Sequence, residues 1–551
     1  MKTDRRKFIT TTASIMGGIS LRKLRIEPEL KAGNYIREPY PDLIRVSITK
    51  RVASDFNPGS YIIVNEIREW NPEETAVIIC DMWDRHWCQG ASERVAEMAP
   101  FLNNVVSIAR KKGILIVHAP SSCMDHYKDH PGRKLGTKYK SRKAEKLISS
   151  DLLDSEKNAI WPVDQKDGGC DCDPPCEQGQ PWKKQIDSIV IDNGDAISDS
   201  GSEIAGLFNA KGIKNVILMG VHENMCVIGR SFGLRNMVRL GMNVVLMRDL
   251  TDTMYNSKQW PFVPHFTGTS LMTEYIETYV CPSMVSCDFT GQSQFRFKND
   301  NRPLIAFIIA ENEYHANQTL PEFAHGLLLT GGVNCEFATG KPVYTGEGIH
   351  NIENLQILRD ADLAVIQVRR RALPAEQMAL IKGFVGRGRP VLALRTASHA
   401  FSLNQPVKKP AGESDTPAGQ KSEPLEQWPE FDKDVLGGNY QGHYGTMKEP
   451  VQYSVVPGME AHPVLKDVPP DDFTGPVAQL YSLYRNRPLR SPEIKVILIG
   501  TIPGKPAEPV LWINDRGNGK VVYTSMGHWD DWKNEKFRRI MLNSIDYLLN
   551  K

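Results

Sequence analysis

The sequence predicts an α/β protein made of two doubly wound, mainly parallel-sheet, three-layer domains in tandem. Three observations carry that expectation. At 551 residues, 41% hydrophobic and 24% charged, the chain exceeds one core, since single cores stop growing at about 250 to 300 residues. From about Glu74 to Asp249 short β-branched runs alternate with helix-patterned runs. A second series of the same kind opens at "RPLIAFIIAENEYH", beyond a polar stretch.

In the first series "TAVIICD", "GILIVHAP", "DSIVID", "NVILMG" and "NVVLMRD" have the continuous apolar character of strands buried on both faces, as in a parallel sheet. Between them "ASERVAEMAPFLNNVVSIARKKG" is apolar at helical spacing and stops at Gly113. "SGSEIAGLFNAKG" repeats the pattern, with Ser200 or Ser202 as N-cap and Gly212 as the stop. Ligand sites of such sheets lie at the carboxyl ends of the strands, which singles out Asp81, His118, Asp192 and the residues after Gly220.

The second series continues through "ADLAVIQVR", "RPVLALRTASHAF", "IKVILIGTI" and "GKVVYTSMGHWDDW". The expected division is a leader at 1–35, a first domain at 36–288, a polar linker at 289–301 with few core residues, and a second domain at 302–551. Lys408 to Gln427, rich in Pro, Gly, Ser and charge, is expected to be a mobile surface insertion.

A net charge of +2 supplies no basic field for nucleic acid. No later segment approaches the ~20 apolar residues of a membrane helix. A small-molecule partner is expected, with no cofactor and no metal, and the oligomeric state stays open. The N-terminus "MKTDRRKFITTTASIMGGISL" pairs Arg5 with Arg6 ahead of a mildly apolar run, the pattern of a twin-arginine export signal and a periplasmic destination in a bacterium; a basic tail is the other reading. Among ten cysteines, Cys170, Cys172 and Cys176 cluster in "GGCDCDPPCEQ". One disulfide with a free thiol, or a bridge to Cys88 or Cys123, is preferred to zinc because no fourth ligand of matching spacing follows.

If "NVILMG" is a strand and "CVIGRSFGLRNMVRLG" a helix, Cys226 occupies the helix's first turn, where unpaired N–H groups and the dipole favour a thiolate. A buried structural thiol is the alternative. Asp81, closing "AVIICD", is within side-chain reach if the two strands are neighbours, and an acid there can take the thiol proton and return it to a leaving amine.

With Asp81 ending a strand, then "GILIVHAP", then "GIKNVILMGVHENMCV" and "VVLMRD", the stretch from about Asn71 to Cys287 resembles the isochorismatase-like cysteine hydrolases, which include nicotinamidases and other small-amide hydrolases. The resemblance implies Asp81 as base, Cys226 as nucleophile, backbone amides of His222 and Cys226 as oxyanion hole, and a cis Val221–His222 peptide. The chain departs from the family at a lysine after the middle strand. Aligned on Gly201, its place falls at Asn193, and no lysine occurs between Gln185 and Ala210. Lys183 and Lys184 lie one strand length too early. His222, His86, Arg85 or Arg230 is then expected to supply the charge, with His222 and His86 nearest in sequence. His118, Asp125, His126 and His130 do not match the nicotinamidase metal spacing and are expected to belong to a polar loop. Trp83, Asp84, His86 and Trp87 either wall a pocket for a flat or sugar-like ligand or pack beneath a loop.

"ENEYHANQTLPEFA", "GRPVLALRTASHAF" and the closing "EPVLWINDRGNGKVVYTSMGHWDDWKNEKFRRIMLNSIDYLL" make residues 302 to 551 similar to ThuA-like domains, named for trehalose utilisation, with a class I glutamine amidotransferase-like fold. That resemblance implies a cysteine elbow after the central strand in a working glutaminase, and Arg395 stands there instead. His315, Arg395, His399 and His528 fall at strand ends and either bind an anionic or polyhydroxylated ligand or serve as structural hydrogen-bond partners. The expected function is an exported hydrolase of a C–N, amide-type bond with an accessory second domain. The alternative is a catalytically impaired protein that binds a carbohydrate-derived ligand.

Overall fold

The computed structural model describes residues 43–330, 332–341, 349–404, 424–444, 451–469, 483–491 and 493–550. The export signal and residues 408–423 of the expected insertion lie outside these. Residues 42 to 551 form one compact unit holding two large sheets. No helix among the described residues is long and apolar enough to cross a membrane.

The first sheet comprises β1 (Ile44–Ala53), β2 (Tyr61–Trp70), β3 (Thr75–Cys80), β4 (Leu115–Ala119), β5 (Ala196–Ile197), β6 (Asn215–Val221), β7 (Asn243–Asp252) and β8 (Ser283–Met284), in the order β2-β1-β8-β7-β6-β3-β4-β5. From β8 to β5 all pairings are parallel, and every residue of β3 and β6 is buried, as their unbroken apolar runs require. The central strand β3 sets Cys80 level with Ala119 of β4 and Gly220 of β6. Residues just beyond these three strands therefore share one edge of the sheet.

The helix α1 (Gln89–Lys111) and the helix Gly201–Lys211 follow the expected periods, and Gly212 ends the second in the left-handed region (φ 73°), where a side chain would be strained. The hairpin β1–β2, paired over ten positions, precedes the first strand read from the sequence.

Three expectations are corrected. "DSIVID" is not a strand: its polar residues keep it at the surface, where Val190 donates its N–H to Asn103 and accepts from Arg110 on α1, and the ladder position is taken by β5. "CVIGRSFGLRNMVRLG" is not one helix, because it breaks into a π-type turn over Glu223–Val227 and a short helix Leu234–Arg239. The linker is not poor in core residues, since Phe289, Phe295 and Phe297 are buried against the first sheet's core.

In the second sheet Asn334–Gly340, Leu304–Ala310, Leu363–Val368, Val391–Leu394 and Lys520–Thr524 run parallel, and Glu508–Asp515, Lys495–Thr501 and Gln452–Val455 extend it antiparallel. Leu425–Glu426, at the close of the expected insertion, pairs with Leu373–Pro374. Arg248 beyond the midpoint of β7 holds Glu336 of the second sheet at 2.7 Å, and Thr339 donates to Asn65 of β2 at 2.8 Å. Charged and polar pairs thus join the two sheets.

Candidate active site

Asp81 follows β3 at φ 47°, a backbone setting uncommon outside glycine, and its carboxylate is fully buried. The Ser121 amide, just beyond β4, donates to Oδ1 at 2.7 Å, and Arg230 Nε donates to Oδ2 at 3.1 Å. The Cys226 thiol, in the π-type turn after β6, stands beside the same carboxylate. Burial raises the Asp81 pKa above the ordinary aspartate value, opposed by Arg230, the thiol and the Ser121 amide.

Burial also pushes the Cys226 thiol up, the Asp81 charge adds to this, and Arg230 and the His222 N–H oppose it. The resting pair is therefore a protonated thiol beside a carboxylate, with arginine holding the carboxylate from the other side. Gly220, at φ 109°, lets β6 approach β3: a Cβ there would meet the Cys80 carbonyl oxygen at 2.1 Å. The Val221–His222 peptide is cis, as the resemblance implied.

The residues expected to replace the family lysine fall differently. Asn193 is exposed in a turn ahead of β5. Lys184 is paired with Asp187, and Lys183 and Arg85 face solvent. Burial, reinforced by neighbouring positive charge, lowers His222 to about 3 and His86 to about 4, so neither is a cation near neutrality. Arg230 is the one of the proposed residues that meets Asp81. It stands one turn on from Cys226, its N–H donating to the Cys226 carbonyl at 3.0 Å, so that both side chains meet the strand end. His222, expected to lend its N–H to an oxyanion hole, is buried at the cis peptide just ahead of the Cys226 turn.

Trp83 stacks on Trp182 with ring centres 4.3 Å apart and planes 10° from parallel, and His86 lies 5.8 Å from Trp182 in nearly the same plane orientation. Trp83 donates its indole N–H to the Ser121 carbonyl at 3.1 Å. This cluster, with Cys123, Tyr127 and Ile197, packs against Cys226. Trp182 was not singled out in the sequence; it arrives because Lys184–Ile186 runs beside Met82–Asp84. Trp87 instead packs near Cys88 and Met225. His118 is removed from the site, bonded through Nδ1 to Gln185 and through Nε2 to Asp195. His130 caps a helix by accepting from Gly132, while Asp125 and His126 belong to a short turn.

Another residue missed in the sequence is Glu223, which opens the turn carrying Cys226. It accepts from Thr253 at 3.0 Å and Thr273 at 2.8 Å, and burial raises its pKa to about 8. A buried Glu next to a Val-His pair carries no spacing signal that separates it from a surface acid.

In the second half Arg395 follows the strand Val391–Leu394 at φ 43°, a sharp strand-to-helix turn of the kind that presents a nucleophile in other α/β enzymes. Its guanidinium lies over Tyr314 at 4.1 Å and Tyr484 at 5.1 Å and donates to the Ser525 carbonyl at 2.9 Å. His399 stacks on Tyr440, which meets Tyr484. His528 lies against Tyr314 and Trp529, and His315 against Trp529. The four residues expected there therefore gather around one aromatic cluster. Glu311, buried and raised to about 7, accepts from the Tyr314 N–H at its side.

Residues 418–548 match the family model described as ThuA, trehalose utilisation. No curated protein matches the chain. Among solved structures, a cysteine hydrolase from Pseudomonas syringae pv. phaseolicola is 15% identical over 40% of this chain and 91% of its own, with a TM-score of 0.26. An isochorismatase family protein from Burkholderia thailandensis is 10% identical over 40% of this chain and 95% of its own, TM-score 0.23. A ThuA-like protein from Parabacteroides merdae is 15% identical over 45% of this chain and 90% of its own, TM-score 0.29. The chain is an α/β protein with two mostly parallel sheets and a ThuA match in its second half.

Proposed function

We propose that the first half hydrolyses a C–N, amide-type bond in a small molecule, with Cys226 as nucleophile and Asp81 as proton carrier. The observation that carries this reading is a buried carboxylate held by the Ser121 amide on one oxygen and Arg230 on the other, beside the Cys226 thiol. Sulfur attacks the carbonyl carbon while its proton passes to Asp81, and the Cys226 amide donates to the oxyanion. Collapse breaks the C–N bond as Asp81 returns the proton to the leaving nitrogen. Water, deprotonated by Asp81, then attacks the thioester, and the proton goes back to sulfur as the acid product leaves.

Arg230 takes the part assigned to the family's lysine, holding the carboxylate in place and lowering the cost of its charge. The Trp83–Trp182 stack offers a flat apolar wall to the substrate. The second half acts as a binding or positioning module without glutaminase chemistry, because an arginine fills its elbow. Export through the Arg5–Arg6 signal belongs to the same reading and is tested by following a signal-reporter fusion with both arginines changed to lysine.

Screening small primary amides for ammonia release with wild type and Cys226→Ala tests the activity. Turnover by wild type alone, with a thioester adduct trapped on Cys226 and seen by mass spectrometry, is the expected result. Full turnover by Cys226→Ala overturns the reading.

A second reading, a ligand-binding protein without turnover, draws on the raised Cys226 thiol and on the aromatic wall, which suits a sugar face as well as an amide. Rapid alkylation of Cys226 near neutral pH, relative to Cys123, separates the two by favouring the hydrolase.

A further inference from the structure

The cluster Cys170, Cys172 and Cys176 acquires a fourth member in the fold. Cys88, the residue that caps α1, lies with its sulfur 3.2 Å from that of Cys170 and 3.8 Å from that of Cys172. The ligand atoms of these three all fall within 4.8 Å of one another. Cys176 lies at the edge of this group, packed against it, its sulfur accepting from the Gln89 N–H beside the Gly90 N–H that meets Cys172. A tetrahedron of sulfurs about 2.3 Å from a zinc ion has edges of about 3.8 Å, close to the spacing found here. All ten cysteines are free thiols.

A second, independent feature points to a bound cation. The first N–H groups of α1 have no partner within the helix, and here two of them end on sulfur: Gln89 donates to Cys176 at 3.4 Å and Gly90 to Cys172 at 3.3 Å. Backbone amides directed at sulfur at the start of a helix form a shell suited to thiolates held by a cation. The approach of the loop is enforced by Gly169, at φ 72°, where a Cβ would meet the Met254 carbonyl oxygen at 2.2 Å.

We infer that Cys88, Cys170, Cys172 and Cys176 form a tetrathiolate site for a structural zinc ion. On binding, the four thiols release four protons to solvent and Zn²⁺ becomes a dianionic complex, with Arg94, itself paired with Asp171 and Asp252, as the neighbouring positive charge. Four protein ligands leave no open position, so the ion holds structure rather than reacting. What it holds is the segment from Gly168 to Trp182, pinned to the start of α1. Trp87 and Met225 pack on the sulfurs, one residue from His86 and from Cys226 respectively, and the far end of the segment delivers Trp182 to its stack. The inference stands whether or not Cys226 is a nucleophile. The sequence conceals the site because 81 residues separate Cys88 from Cys170.

Metal analysis of the purified full-length protein tests it directly. About one zinc per chain is expected, lost from Cys172→Ser and from Cys176→Ser and kept by Cys335→Ser. Replacing zinc by cobalt in wild type should give sulfur-to-cobalt charge-transfer bands and tetrahedral ligand-field bands, a readout that survives if the serine variants do not fold. Metal-free protein with four reduced thiols, two disulfides among these cysteines by mass spectrometry, stoichiometric iron in place of zinc, or undiminished zinc in Cys172→Ser each overturns the proposal.

Discussion

Arg230 and Ser121 hold Asp81 by opposite carboxylate oxygens, Nε on Oδ2 at 3.1 Å and the backbone amide on Oδ1 at 2.7 Å. The arrangement fixes the carboxylate plane and leaves it facing the Cys226 sulfur. A cation therefore meets Asp81 although the expected lysine is missing, and it comes from the segment after β6 that also carries Cys226.

Arg230 is expected to set the acid limb of the pH–rate profile. Asp81 must be ionised to accept the thiol proton, so activity should rise with pH through its raised pKa. Removing the cation in Arg230→Gln should move that limb further up and slow Cys226 alkylation; the loss of kcat/KM is expected to be roughly a hundredfold, within the range of general acid–base catalysis. Arg230→Lys should recover part of it. Because arginine keeps its charge, the decline above about pH 6.5 expected of a histidine cation should be absent. A profile of wild type and both variants decides; an unmoved acid limb in Arg230→Gln would count against the role.

Trp182→Ala should raise KM more than it lowers kcat, because Trp182 stacks on Trp83 without touching Asp81. Each stacked ring pair contributes about 1 kcal/mol beyond its area, so a rise in KM of roughly five- to tenfold is expected. Steady-state kinetics on the screened amide give the split, and a fall confined to kcat speaks against a substrate wall.

Glu223 gives a pH-dependent stability. Its folded pKa, about 8, lies above the ordinary glutamate value of 4.5, so between these values the folded state binds the extra proton. Stability should fall as pH rises from about 4.5 to 8 and then level off for this group. Glu223→Gln removes the charge while Thr253 and Thr273 can still hydrogen-bond to the amide. Thermal melts should show the variant gaining Tm over wild type at pH 8 and little at pH 5; equal gains at both would exclude the linkage.

Gly220→Ala should be among the most damaging single substitutions. The added methyl would stand 2.1 Å from the Cys80 carbonyl oxygen, a backbone atom in the centre of the sheet that cannot move aside. Together with the unfavourable φ, a loss of about 3 kcal/mol or more follows. Denaturant unfolding measures it, and a loss under about 1 kcal/mol would mean that the strands part easily at the site.

The α/β class, the strands β3, β4, β6 and β7, the stops at Gly113 and Gly212, and the placing of Asp81 and Cys226 after strand ends are legible in the amino-acid order alone. These are local signals: continuous apolar runs, helical spacing, a glycine where φ is positive. The same order also put Arg395 at the elbow of the second sheet, since one residue after a buried strand is enough to locate that turn. Only the tertiary structure decided the rest. "DSIVID" lost its strand to Ala196–Ile197 because ladder pairing depends on neighbours, and its own amide found Asn103 instead. The linker's three phenylalanines went into the first core because burial is decided by the surface they meet. Arg230 was chosen over His222 and His86 by burial, which removes charge from imidazole and leaves it on guanidinium beside a carboxylate. Trp182 and Cys88 joined their partners across roughly a hundred residues or fewer, by contacts that no spacing rule encodes because the intervening chain can take any path that returns it to the same strand edge.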